Sequence, residues 1–531
     1  MGLAILIVVL DTTLLNVSLA TIVRELDTDI RSIQWVITGY SLTLAALTIT
    51  GGRMGDIFGR KRMFVLGAAL FAVGSFLASV SPNVATLIIG EAVIEGIGAA
   101  LMLPATASLL IATYRGKDRG LAMGIWGGMA ALGAGIGPVV GGYLTSNFSW
   151  RWGFRINVFV AAVLIGAAYL IKDERKLTKP QLDWVGSLLS AIGLFLGVFA
   201  LIEGSVYGWW RSIKPLSLFG VGLAPGGMSV VPFAVLLSAV FLGLFVLWER
   251  RVTRQGRLPL VSFKLFSNEQ FRDGVALTGI MSLGQVGIIF SLPVFLQGVR
   301  GLDAQATGFA LLPLSIGLLL MAPFGGYISR HVPPKRIIQM GLVLSATGLG
   351  LMFNMLALDT TAGDFIVPLG IYGLGLGLSM SQLANVTLSA VNPAESGLAS
   401  GVNNTVRQIG MSLGTAILGT IVVASIASGL HDGILNSDRL DSRQRGVVAE
   451  AASNQVSAIE FGADLQSSEP LTPEQHDEIR RIAQESTVDA NKRAYLFTIG
   501  TTLLALGLAT RLPKGTNIDR HEPLQPAAAA P

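Results

Sequence analysis

The chain has 531 residues, of which 51% are hydrophobic and only 13% charged, too little charge to clothe a soluble protein of this size. With no cysteine and four scattered histidines, it has no disulfide, thiol nucleophile or thiolate metal site, and no cofactor or metal centre is expected. The net charge of +5 would suggest nucleic acid in a soluble domain, but the bases cluster in alternate short loops, so membrane topology accounts for them.

Apolar stretches of spanning length fall near 2–23, 33–52, 63–81, 84–112, 120–145, 153–172 and 184–205. They continue near 230–249, 273–297, 307–329, 336–356, 365–391, 399–427 and 493–511, about fourteen in all. The period-2 alternation of a barrel is missing, so an all-α polytopic membrane protein is predicted. The first stretch has no basic n-region and carries Asp11 in its middle, so it reads as a span and not as a cleavable signal. It starts abruptly, which leaves room for a cytoplasmic tail ahead of it. Between the second and third stretches lies GGRMGDIFGRKRMF (51–64), a glycine-rich turn with Asp56 and the bases Arg53, Arg60, Lys61 and Arg62. The positive-inside rule places it in the cytoplasm.

Other loop charges agree with that side. Predicted inner loops hold Arg115, Lys117 and Arg119, then Lys172, Arg175, Lys176 and Lys179, then Arg250, Arg251, Arg254, Arg257 and Lys264, then Arg330, Lys335 and Arg336. Predicted outer loops hold Arg24, Arg31, Arg211, Lys214 and Arg300. Both termini are therefore expected inside. The long polar segment 428–492 is external by parity and leans acidic; it reads mainly as a solvated loop. Thr472-Pro473-Glu474 within it marks a helix start, for a short surface helix running to Lys492.

The chain also repeats itself. GGYISRHVPPKR (325–336) aligns without a gap to GGRMGDIFGRKR (51–62), with Arg330 in place of Asp56 and Pro333 in place of Gly59. Such a copy suits a transporter built from two related halves. The division expected is 1–172 and 271–531 as two six-helix bundles. Residues 173–270 form a linker holding two extra spans, and the second bundle includes the external loop and a short cytoplasmic tail.

The turn at 51–64 resembles the loop signature of the major facilitator superfamily. VVLDTTLLNVSLATI (8–22) looks like the first-span motif of its fourteen-span drug:proton antiporters, the EmrB/QacA-like group. GIWGGMAALGAGIGPVVGG (124–142) resembles that group's fifth-span antiporter motif, with Gly133, Gly137, Pro138, Gly141 and Gly142 in place. WRWGFRIN (150–157) resembles its external motif before the sixth span, and GLASGVNNTVRQIGMSLGTA (397–416) its thirteenth-span pattern. The resemblance implies the major facilitator fold and export of small hydrophobic or cationic compounds in exchange for protons, from the plasma (inner) membrane of a bacterium. It leaves the substrate open, since the group also includes exporters of metabolites, peptides, lipids and siderophores. A monomer is expected; a membrane-fusion partner is not legible from one chain.

Charges buried in spans are the first candidates for function, since each costs about 2.5–3.5 kcal/mol to insert. Asp11 lies ~14 Å along its helix, near the midplane. It is a proton-coupling candidate, or a structural carboxylate bonded to a neighbouring span. Glu91 and Glu95 stand four apart on one helix face, where both cannot easily ionise. Here the sequence departs from the family pattern: Ala92 stands where an arginine is usual, and Glu95 where a glutamine is usual. Arg407 is either a counter-charge across a cavity or an interspan clamp. Asn16, Asn403, Asn404 and Gln408 join Gln285 and Gln382 as candidate cavity residues, with ordinary interhelical hydrogen bonds as the alternative. The Gly133–Gly142 tract reads as a seal or hinge, or as close packing. Gly55, Asp56, Gly59, Arg60 and Arg62 read as a cytoplasmic gate, or as topogenic charge alone. Gly373, Gly375 and Gly377 lack the lysine and strand–turn–helix setting of a nucleotide loop, so ATP drive is not expected.

No nucleophile–base constellation supports an enzyme. The reading is a secondary active exporter. Alternatives are export of one endogenous metabolite, lipid or siderophore, and a membrane sensor or partner subunit acting through 428–492.

Overall fold

The computed structural model describes residues 1–28, 30–114, 116–171, 182–212, 216–218, 221–223, 227–257, 259–329, 331–392, 395–454 and 471–513. Helices dominate: α1 (Gly2–Glu25), α2 (Ile30–Phe58), α3 (Arg60–Ser79), α4 (Val84–Thr113), α5 (Gly116–Asn147) and α6 (Arg151–Ala168). There follow α7 (Trp184–Tyr207), α8 (Val231–Arg254), α9 (Glu269–Gly298), α10 (Gln305–Ile328), α11 (Pro334–Met355), α12 (Ile366–Ser389) and α13 (Ser396–Leu435). Last come α14 (Ser442–Asn454) and α15 (Pro473–Ala509). Among the described residues ten of these helices are long and apolar enough to cross a membrane: α3, α4 and α6–α12 with α13. Helices α1, α2, α5 and α15 coincide with the remaining apolar stretches. A belt of lipid-type side chains is left outward, including Phe76, Phe159, Val163, Leu236, Leu247 and Val367, which fits an integral membrane protein and would be insoluble in water.

Three local features differ from the sequence reading. The turn at 51–64 is almost entirely helical: α2 runs on through Phe58, and only Gly59 breaks it, at φ 102°. That φ is in the region where a Cβ is strained, so glycine permits the sharp reversal into α3. At the copy the job falls to Pro333, with φ −55° and ψ 134°, followed by Pro334 at the start of α11. The second difference is a small antiparallel hairpin, Leu216–Leu218 with Val221–Leu223, between α7 and α8.

The third is the segment 428–492, which is folded where it is described. Helix α13 continues to Leu435, and α15 begins at Pro473 and runs unbroken past Lys492. Thr472 caps α15 by accepting from Gln475 N, while the Gln475 side chain returns to the Thr472 N–H. Leu430, Ile434, Leu440, Val448, Ala452, Ile479 and Ile482 form an apolar core between α13, α14 and α15. Arg481 donates to Glu478 at 3.0 Å and 3.3 Å. The Arg481 hydrogen bond, aided by the charges of Arg481 and Arg439, holds the Glu478 carboxyl below its ordinary range. Residues 455–470, part of the predicted loop, lie outside the described residues.

Helices α7 and α8 form a tied pair. Asp183 caps α7 by accepting from Gly186 N at 2.9 Å and also takes Trp248 Nε1 at 2.9 and 3.0 Å. Ser238 Oγ on α8 donates to the Gly193 carbonyl at 2.7 Å. The pair lies against α2, where Trp35 stacks on Phe199 at 5.9 Å.

Candidate functional site

The deepest polar cluster joins four helices. Helix α1 brings Asp11, α4 brings Glu91 and Glu95, α6 brings Asn157, and α2 brings Tyr40; each is at most 1% exposed. One oxygen each from Asp11, Glu91 and Glu95 lies within 4.8 Å of the other two. Asn157 Nδ2 donates to Asp11 Oδ1 at 2.6 Å and to Glu95 Oε1 at 3.3 Å. The glutamates reach the cluster from a π-helical stretch, Ile88–Glu95, which widens α4 locally; such turns are frequent at functional sites. Ala92, where the family pattern has an arginine, is buried with its Cβ facing Gly39. No ion pair with a lysine, arginine or histidine reaches any of the three carboxyls among the described residues. No amide, hydroxyl or basic group of the described residues donates to Glu91, whose carboxyl lies against those of Asp11 and Glu95. Carboxyls this close, without a counter-charge, must share protons or a cation.

The glycine tract of α5 supports the helix that carries Asp11. A Cβ on Gly133 would stand 2.7 Å from the Leu6 carbonyl oxygen, and one on Gly141 3.1 Å from Leu14 Cα. One on Gly137 would strike the Thr13 side chain, two residues from Asp11. Small residues at this spacing bring α1 and α5 into backbone contact. The Pro138 side chain lies outside the described residues, as does that of Asn16.

The same helix α5 reaches into the second half of the chain. A Cβ on Gly326 of α10 would meet the Gly120 oxygen at 2.7 Å, and one on Gly124 the Ala322 carbonyl carbon at 3.3 Å. Alongside, Gly52 of α2 abuts Gly397 of α13, and a Cβ on Gly401 would lie 2.8 Å from the Thr48 oxygen. Asp56 closes this end: its oxygens accept from Gly397 N at 3.0 Å and Leu398 N at 2.8 Å, at the start of α13. Arg60 pairs with Asp56 at 3.0 Å. A carboxylate on two free N–H groups at a helix N-terminus is a strong, charge-assisted contact. The halves are thus in contact at the end that carries the basic loops. Gly55 lies beside the Arg60 stem, while Arg62 is exposed and takes no part in these contacts among the described residues. Arg330, opposite number of Asp56 in the copy, lies outside the described residues.

The second half supplies amides. Gln382 of α12 is wholly buried with both amide atoms unpaired among the described residues, and Asn385, one turn on, is in the same state. On α13, Asn403 is buried with an unpaired Oδ1, Asn404 donates back to the Ser400 carbonyl at 3.1 Å, and Arg407 and Gln408 are half-buried. Arg407 makes no ion pair with the acidic cluster. Gln285 lines a narrow cleft of about 10 Å³ inside the second half, with Ser345, Tyr372, Thr501 and Thr502. Asn157, Tyr40 and Asn385 were not singled out from sequence. Asn157 had a signal, as the last residue of WRWGFRIN and a lone amide entering an apolar span.

A family model described as Major Facilitator Superfamily matches residues 1–415. The chain belongs to the Major Facilitator Superfamily. It is 30% identical to a probable actinorhodin transporter of Streptomyces coelicolor, over 95% of this chain and 89% of that protein. It is 32% identical to a puromycin resistance protein of Streptomyces alboniger, over 80% of this chain and 81% of that one. Among solved structures it resembles the proton:xylose symporter XylE at a TM-score of 0.58 and 11% identity, over 97% of this chain and 94% of that one. As a member of this superfamily the chain is a transporter and not an enzyme, similar to exporters of antibiotics.

Proposed function

We propose that this chain is a proton-coupled antiporter that exports hydrophobic or cationic compounds by alternating access. In this reading it has fourteen spans with both termini in the cytoplasm of a bacterium, working as a monomer in the plasma membrane. Residues 1–172 and 271–531 are its two bundles, and 173–270 carry the extra pair. The observation that carries the reading is the pocket of three buried carboxyls without a counter-charge, held by the helix that the glycine tract grips.

The geometry supports a route for coupling. A proton reaching Asp11, Glu91 or Glu95 changes the charge at the centre of the first half. Helix α1 holds Asp11 and packs on the glycines of α5, and α5 packs at its other end on α10. Movement of α1 therefore bears directly on the contact between the halves. The Asp56 contact with α13 holds the basic-loop end closed, the arrangement expected when the opposite end takes up protons and releases cargo. Gln382, Asn403 and Asn404, with Gln408 and Arg407, are the polar groups offered to the cargo.

Inverted membrane vesicles test this. Dye transport driven by a proton gradient should fall at least ~10-fold, about 1.4 kcal/mol, in Asp11→Asn. Undiminished transport in both Asp11→Asn and Glu95→Gln would sink the coupling role. The relatives' names favour natural-product antibiotics as cargo, and a drug panel set against metabolite loss from cells separates broad efflux from one endogenous product.

A further inference from the structure

We propose that the pocket of Asp11, Glu91 and Glu95 binds a sodium-sized metal cation, in exchange for one of its protons. The proposal deepens the antiport reading, because it assigns a second coupling ion to the same site. Three observations carry it. First, the three carboxyl oxygens lie within 4.8 Å of one another, a spread that oxygen ligands about 2.4 Å from a central ion can span.

Second, two further oxygens at the cluster are buried and unsatisfied. Asn157, 1% exposed, bridges Asp11 and Glu95 through its Nδ2 while its Oδ1 has no partner among the described residues. Rotation of that amide presents its oxygen to the pocket. The Tyr40 hydroxyl of α2, also 1% exposed and unpaired among the described residues, is close enough to feel the charges of the same three carboxyls. Ser75 of α3 lies beside Glu95. The donor set is therefore entirely oxygen, with no imidazole or thiolate, which selects a hard cation and disfavours zinc or copper.

Third, charge decides between a monovalent and a divalent ion. Among the described residues the groups that interact at this cluster are Asp11 from α1, Tyr40 from α2, Ser75 from α3, Glu91 and Glu95 from α4, and Asn157 from α6, and none is a base. A buried site without a base tolerates little net charge. Exchanging one proton for one monovalent ion leaves that charge unchanged, whereas a divalent ion requires two protons to leave together.

The purified full-length chain in weakly buffered detergent provides the test. Sodium chloride should release protons and raise the unfolding temperature, and choline chloride should do neither. Both responses should be lost in Asp11→Asn and in Glu91→Gln; the second variant guards against misfolding of the first. In proteoliposomes with a protonophore present, a sodium gradient should drive cargo uptake. Equal responses to sodium and choline, responses unaltered by both substitutions, or a response to calcium but not to sodium would overturn the proposal. Proton-driven transport persisting beside any of those results would leave the antiport reading standing and remove only the metal ion. Sodium-dependent proton release without transport on either gradient would do the reverse.

Discussion

The two halves of the molecule handle buried polarity in opposite ways. Helices α1, α4 and α6 gather three carboxyls and one amide at a single point. The helices over 304–328, 334–355 and 366–389, and 396–430 of α13, hold no acid at all, and offer Gln382, Asn385, Asn403 and Asn404 instead. In the proposed reading the difference divides labour: ionisable groups respond to ions, while neutral amides can meet varied cargo without a large desolvation penalty. The repeated loop shows the same asymmetry, with Asp56 bonded to the start of α13 and Arg330 in its place in the copy.

That division can be broken by experiment. The largest effect is expected from Glu95→Gln, which should lower gradient-driven efflux at least ~10-fold. Gln382→Ala should instead raise the apparent KM and leave the proton dependence unchanged; loss of coupling in this variant would end the division. Next comes the loop asymmetry. Asp56→Ala strands two N–H groups at the head of α13, a cost of about 1–3 kcal/mol, and should speed modification of a single reporter at Thr48→Cys about tenfold. The chain has no native cysteine, so that reporter is unambiguous, and Arg336→Ala in the copy should leave its rate within about twofold.

A third test concerns the helix that joins the halves. Gly137→Ala drives a methyl group into Thr13 and should cost about 1–3 kcal/mol, read as reduced transport and a lower unfolding temperature; Thr13→Ala should restore part of both. The smallest effect is at Glu478. Its carboxyl titrates below the ordinary range when folded, so the ion pair adds stability above the unfolded value of about 4.3 and loses it as pH falls through the folded one. With Arg481 more than half exposed, the contribution is about 0–1 kcal/mol. Glu478→Gln should flatten the acid dependence of protease resistance around 473–492.

Most of the apolar stretches were legible as helices because hydropathy at this length has one solution in lipid, but α13 runs on to Leu435 and α15 begins at Pro473, well before the apolar stretch that it carries. Asp11, Glu91 and Glu95 stood out because acids are rare in apolar helices. Their convergence did not, since it depends on the rotation of α1 and α6 against a π-helical α4. The place of Asn157 between Asp11 and Glu95 was hidden for the same reason. The basic segment 51–58 looked like a turn because its charges and glycines fit one, yet helix propagation carries through to Gly59, whose backbone alone departs. In 428–492 the average polarity masked Leu430, Ile434, Ile479 and Ile482, which become an apolar seam only when two helices lie side by side.

Helix α13 has 40 residues and α15 has 37, or ~60 Å and ~55 Å at 1.5 Å per residue. A hydrocarbon core is only ~30 Å thick, so part of each helix stands clear of the membrane. Gly429 and Gly433 of α13 lie against Ser486 and Ile482 of α15 where they do so. This pair is a long rod rooted in the second half. A tilt of about 10° at its root would swing a tip ~30 Å away through about 5 Å. An antibody fragment clasping 473–492 would therefore hinder any such tilt without entering the bundle.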